Sequence, residues 1–140
     1  MIKKNILILL FSIFLNNILF AKTEYFQTGV DLFNQKKFKQ AKFKFEQEIV
    51  LNPKNEPSYL YLSKIFNIQD NDAQEEQNLN TVILLNPNNE EALYQLAKLK
   101  LTNSDYKKST EFNKRLKLIC KNFCDQSDKL KIEIENLSKK

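Results

Sequence analysis

Cys120 and Cys124 are the only side chains in this 140-residue sequence whose type and spacing suggest covalent chemistry. They form a C-x-x-x-C pattern near the C-terminus. The sequence holds no histidine, which removes the commonest general base and the commonest metal ligand together. A thioredoxin-like site would need C-x-x-C between a strand and a helix, and c-type haem attachment would need a histidine. Inside an unbroken helix an i, i+4 pair is poorly placed for a disulfide, whose Cα atoms prefer to lie about 5.5–6 Å apart with converging side chains. A break near Asn122 and Phe123 relieves this. In an oxidising compartment a structural disulfide is the first expectation; free or intermolecular thiols, or a metal or redox role, are the alternatives. The carboxylates are weaker candidates. Glu75-Glu76 and Glu90-Glu91 are chain neighbours on helical stretches, and Glu90 and Glu91 suit a first turn, where the helix dipole favours negative charge. With no Gly-rich phosphate loop, activated-serine context or metal-ligand cluster, the expectation is a protein that is not an enzyme and carries no cofactor or metal.

The elements that position these residues begin after a distinct N-terminal segment. Met1–Ala21 has a positive start at Lys3 and Lys4, an apolar run Ile6–Leu15 broken by Ser12, and a small residue, Ala21, before a plausible cleavage point. It reads as a secretory signal peptide. The run is shorter than the roughly 20 apolar residues that span a bilayer; an uncleaved anchor is the alternative, and membrane contact is expected only in that case. Richness in Asn, Lys and Ile suggests an AT-rich bacterial genome and hence export to the periplasm. The net charge of +5 includes the two lysines of this segment. The remaining excess is mild, with Lys and Glu interspersed, so no nucleic-acid partner is expected.

From Thr23 onward the apolar period is that of helices. Tyr25, Gly29 and Leu32 share one face, and Phe38, Ala41, Phe45 and Ile49 share the next. Leu51-Asn52-Pro53-Lys54-Asn55-Glu56 returns later in the chain as Leu85-Asn86-Pro87-Asn88-Asn89-Glu90. Each proline removes a backbone donor and disfavours helix just before it, so each copy ends one helix and opens a turn. A fixed period with one such turn per period marks a stacked array of helical hairpins. A third unit follows with Leu93, Leu96, Ala97, Tyr106, Ser109 and Leu116, but Lys121 stands where its proline would be. Leu130, Ile134 and Leu137 then mark a final helix able to cover the open end.

These residues resemble the tetratricopeptide repeat, whose period is about 34 residues. The first repeat carries Tyr25, Gly29, Leu32, Phe38, Ala41, Phe45 and Pro53 at the family's places, departing at Thr28 and Glu48. The second carries Tyr59, Leu62, Ser63, Phe66, Leu79, Val82 and Pro87, departing at Asp72 and Glu75, and the third departs at Lys100 and Asn113. The resemblance implies an all-α, right-handed superhelical stack of about three antiparallel helix pairs with a C-terminal capping helix. The expected divisions are 1–21, then repeats 22–55, 56–89 and 90–123 with the repeat region running to 124, then the cap and tail 125–140. Gly29, Ser63 and Ala97 recur once per repeat at the same place, where a small side chain lets the partner helix approach.

The resemblance also implies a concave groove, lined by successive first helices, that binds a protein or peptide segment. Three rows are expected along it: Phe26, Leu60 and Tyr94; Val30, Lys64 and Lys98; Phe33, Asn67 and Leu101. They form an apolar, aromatic strip flanked by two lysines, suited to a segment with apolar anchors and an acidic group. Some members of the family clamp a C-terminal carboxylate, but the equivalent places here, Phe26, Val30, Tyr61, Glu91 and Gln95, are not built for that. The competing expectation is a self-associating or membrane-tethered scaffold.

Overall fold

The computed structural model describes residues 24–139, so the proposed signal peptide lies outside the described residues. They form seven helices and no strand: α1 (24–34), α2 (Phe38–Leu51), α3 (Glu56–Ile68), α4 (Asp72–Leu85), α5 (Glu90–Thr102), α6 (Tyr106–Ile119) and α7 (Cys124–Leu137). The second helices start at Phe38, Asp72 and Tyr106, and the later first helices at Glu56, Glu90 and Cys124. Both series advance by one constant interval, so the register runs through the turn that lacks a proline, and α7 is placed as a fourth first helix. The described residues divide into two compact units, the first ending at Ser58 and the second beginning at Tyr59.

Local chemistry explains the boundaries. Each hairpin turn contains one non-glycine residue in the left-handed region: Lys36, Asp70 and Ser104, with φ of 59°, 51° and 59°. The next amide then closes the helix end, Lys37 N–H to Leu32 O, Asn71 N–H to Phe66 O and Asp105 N–H to Lys100 O, at 2.8–2.9 Å. Asn71 and Asp105 cap the following helices by accepting from Gln74 N–H and Lys108 N–H. Between hairpins, Asn52 and Asn86 each return an amide to the preceding turn, and Asn55 and Asn89 accept from Ser58 N–H and Ala92 N–H.

In the first unit the packing centres on Phe45 and Ala41, both fully buried. Gly29 is what allows it: a Cβ there would lie 2.7 Å from Cε1 of the Phe45 ring. In the second unit, Leu79, Val82, Ala92 and Leu96 form one cluster, and Ala97, Leu101, Leu130 and Ile134 another. Ser109 crosses from α6 to donate 2.7 Å to the backbone carbonyl of Ala97, an approach that a larger residue at 97 would obstruct. The small-residue row Gly29, Ser63, Ala97 ends on α7 at exposed Lys131. Helix α7 buries Ser127, Leu130 and Ile134, yet turns a lysine to the side where another hairpin partner would need a small residue.

At four of the six positions that depart from the repeat pattern, polar side chains enter the core. Glu48, Glu75, Lys100 and Asn113 are all buried. Asn55 donates 2.9 Å to Glu48 Oε1, Asn67 donates 3.0 Å to Glu75 Oε2, Lys100 forms an ion pair with Glu76, and Asn113 exchanges two bonds with Ser127. Each of these four buried departures is matched by a polar partner, as a buried polar group requires. Only Oε2 of Glu48, with Oε1 of the neighbouring Gln47, is buried without a partner among the described residues.

Glu75 has a measurable consequence. Burial raises its pKa above the usual 4.5, an effect reinforced by Asp72 and opposed by the Asn67 hydrogen bond and by Lys98. Between the ordinary and the raised value the folded chain holds more protons than the unfolded one, so stability falls as pH rises through that window. Glu75→Gln keeps an acceptor for Asn67 and is expected to stabilise the protein at neutral pH. Denaturant midpoints measured down to acid pH should show the gap closing as wild-type Glu75 becomes protonated in both states; a gap that does not change with pH would contradict this account.

Candidate functional site

The face shared by α3 and α5 is the best-developed surface for a partner. Capping by Asn89 starts α5 at Glu90, which places Glu91, Tyr94, Gln95 and Lys98 along one side by helical spacing. On α3 the same positions hold Leu60, Tyr61 and Lys64. Lys64 Nζ lies 2.8 Å from Glu91 Oε1 and bridges the two helices. Gln95 donates 3.1 Å to the same glutamate oxygen. Each lysine also lies over a ring: Lys64 is 5.1 Å from the Tyr61 centroid and Lys98 5.7 Å from that of Tyr94. Both tyrosines are half-buried, and Lys98 is exposed.

Several expected groove residues have other work. Leu101 is 7% exposed and belongs to the core cluster with Leu130 and Ile134, so its assignment to the groove is corrected. Docking of α7 buries it, because that helix continues the repeat register. Asn67 is exposed but spends its amide on the Glu75 carboxylate. Leu60 lies half-buried against the cluster of Leu79 and Leu96. Lys64 is held by Glu91 rather than standing free. In the first unit, Phe26, Val30 and Phe33 are half-buried; Phe26 packs at 5.9 Å from Phe45 and Phe33 edge-on at 5.4 Å from Phe38.

Two residues outside the expected rows shape the end of this face. Glu90 Oε2 accepts the backbone amides of Lys121, Asn122 and Phe123 at 3.0, 2.9 and 2.9 Å. The amides of Lys121 and Phe123, followed by that of Asn122 and the Lys121 charge, hold its carboxyl below the usual range. The turn held there has Cys120, Lys121 and Phe123 where the earlier turns have Asn, Pro and Asn, and its Phe123 ring packs 5.6 Å from Tyr94. Cys120 and Cys124 close the same turn with a disulfide, their Cα atoms 5.3 Å apart, where α6 has ended and α7 begins. A carboxylate and a disulfide thus do what proline and asparagine do in the earlier turns. The sequence signal for Glu90 was its place at the first turn of α5, which alone suggested only a dipole contact. Among the described residues no group of three or more His, Cys, Asp or Glu side chains could hold a metal ion.

No family model and no curated protein matches the chain by sequence. Solved structures match its fold. The first TPR of Spaghetti (RPAP3), bound to the HSP90 peptide SRMEEVD, superposes with a TM-score of 0.76 at 14% identity, covering 85% of this chain and 94% of that one. The chain has the tetratricopeptide-repeat fold. Within that fold, the TPR2B domain of yeast Sti1 in its pHsp70 complex also gives 0.76 at 14% identity, over 83% of this chain and 97% of that one. The Yersinia enterocolitica type III secretion chaperone SycD, in complex with a peptide of the translocator YopD, gives 0.74 at 12%, over 84% and 94%. At such identities the tetratricopeptide-repeat fold is what is shared.

Proposed function

We propose that this chain is a non-catalytic interaction module of the bacterial periplasm, whose first helices bind an extended or helical segment of a protein partner. The observation that carries the reading is the α3–α5 face, where two tyrosines, each with a lysine over its ring, flank a bridging ion pair. Half-exposed aromatic rings beside cations are the side chains that dominate binding energy at interfaces. Structures sharing the fold support the partner class, since those of Spaghetti and SycD hold an HSP90 peptide and a YopD peptide. The periplasmic setting rests on Met1–Ala21.

The partner's chemistry follows from the charges. Lys64 is neutralised by Glu91, which leaves Lys98 as the cation available to an acidic group. The segment therefore carries an apolar or aromatic anchor for Tyr94 and one acidic group for Lys98. The test is affinity capture from periplasmic extract followed by titration of the captured partner. Lys98→Glu lies on an exposed residue and should leave the chain folded, at some cost in stability because its charge no longer offsets the buried Glu75 carboxylate, while weakening binding roughly tenfold or more, about 1.4 kcal/mol. Equal capture of the same partner by wild type and Lys98→Glu would sink the assignment of this face.

A further inference from the structure

The second helices carry a feature that the groove does not use. Val50, Leu84 and Leu118 stand at the same repeat position, one per hairpin, and are 78%, 81% and 86% exposed. In the first unit, α2 adds Phe43 and Leu51, 57% and 53% exposed. Most of the strongly exposed large apolar side chains among the described residues therefore lie on second helices. Single exposed leucines are ordinary on a protein surface. Recurrence at one repeat position, on three helices that bury the same separate stripe, is not.

Charge accompanies these side chains. The exposed residues of α6 include Lys107, Lys108, Lys114 and Lys117 against one acid, Glu111, and exposed Lys121 follows Leu118. Among the described residues Lys107 and Lys114 form no ion pair. On α2, Lys39 is exposed and lies one turn from Phe43. Helix α4 has no cation, so the lysines of α6 are not a by-product of the repeat. The groove of about 400 Å³ between α6 and α7 is lined by Lys114, Asn113, Ser127 and Ile134 but not by Leu118. Leu118 stands outside it among lysines.

We propose that, in the second unit, the outer faces of α4 and α6, α6 foremost, rest on an anionic lipid bilayer. Separate aliphatic side chains projecting from the helix surface would enter the boundary between headgroups and acyl chains, while lysine ammonium groups meet lipid phosphates. The basic exposed face of α6 is the charge complement of such a bilayer. This surface belongs to the folded domain. It is separate from the α3–α5 face.

The test uses the full chain, which contains no tryptophan, so Leu118→Trp introduces a lone fluorophore. With vesicles of phosphatidylcholine mixed with phosphatidylglycerol, its emission should shift to the blue, and added salt should reverse the shift. Vesicles of phosphatidylcholine alone should give no shift. In co-sedimentation, Leu84→Ser/Leu118→Ser and Lys107→Glu/Lys114→Glu should each bind anionic vesicles at least fivefold more weakly than wild type. Both variants retain Met1–Ala21, so insertion of that segment would appear as equal binding by all three proteins, and that result overturns the proposal. So does a concentration-dependent dimer abolished by the serine changes without any lipid dependence, since the occupant would then be a second copy. An unshifted emission from the introduced tryptophan, with a captured protein partner that needs Leu118, overturns it in favour of a protein.

Discussion

Replacing Asn113 by alanine is expected to cost about 2–4 kcal/mol and to loosen α7 before the rest of the second unit. Asn113 Nδ2 donates 2.9 Å to the backbone carbonyl of Ser127, and Ser127 Oγ donates 2.9 Å to Asn113 Oδ1, both in buried surroundings. Alanine removes both partners of the serine and leaves a cavity between α6 and α7. A buried hydroxyl without a partner costs about 1–3 kcal/mol, and the lost volume adds to it. The decisive comparison is Asn113→Leu with Ser127→Ala, which restores an apolar seam of the usual repeat type and should return to within about 1 kcal/mol of wild type. Denaturant unfolding gives the energies, and amide exchange along α7 shows where the loss falls. If the double variant is no better than Asn113→Ala, the polar exchange is not what joins the two helices.

Gly29→Val is expected to destabilise the first unit by about 3 kcal/mol. The Cβ of any side chain at 29 would meet three atoms of the Phe45 ring at 2.7–3.0 Å, and that ring is fully buried. The ring cannot swing into solvent, so the backbones of α1 and α2 must separate. Gly29→Ala provides the calibration: removing a helical glycine gains up to about 1 kcal/mol, so the net loss should be only about 1 kcal/mol. Pairing Gly29→Val with Phe45→Leu should recover part of the deficit by making room. Thermal unfolding of the four proteins yields the coupling, and strict additivity would show that the two residues do not share the contact.

Legibility varied with the range of the interaction concerned. The helix boundaries at Leu51 and Leu85 were readable because Pro53 and Pro87 act on their own backbone and the residue just before. Gly29, Ser63 and Ala97 were readable as a row because the period repeats in the sequence itself. The candidate site was readable only in part. Tyr94, Lys98 and Lys64 lie on the expected helix face, but Leu101, in the same spacing, is buried by α7. Lys64 is held by Glu91 from a different hairpin. Nothing in the local pattern distinguishes a lysine facing solvent from one reaching a glutamate on the next first helix.

By itself the sequence determined the period, the helical hairpins and the place where the repeated turn changes character, because backbone restriction by proline and apolar spacing along a helix are short-range effects. It also marked Cys120 and Cys124 as a pair that needs a broken helix between them. Only the tertiary structure decided what replaces the missing proline. Glu90, from the start of the same hairpin, supplies one carboxylate oxygen to three amides of that turn, while Phe123 rests on Tyr94. Such contacts join residues that the fold brings together and the chain keeps apart, and their partners depend on how α5, α6 and α7 pack.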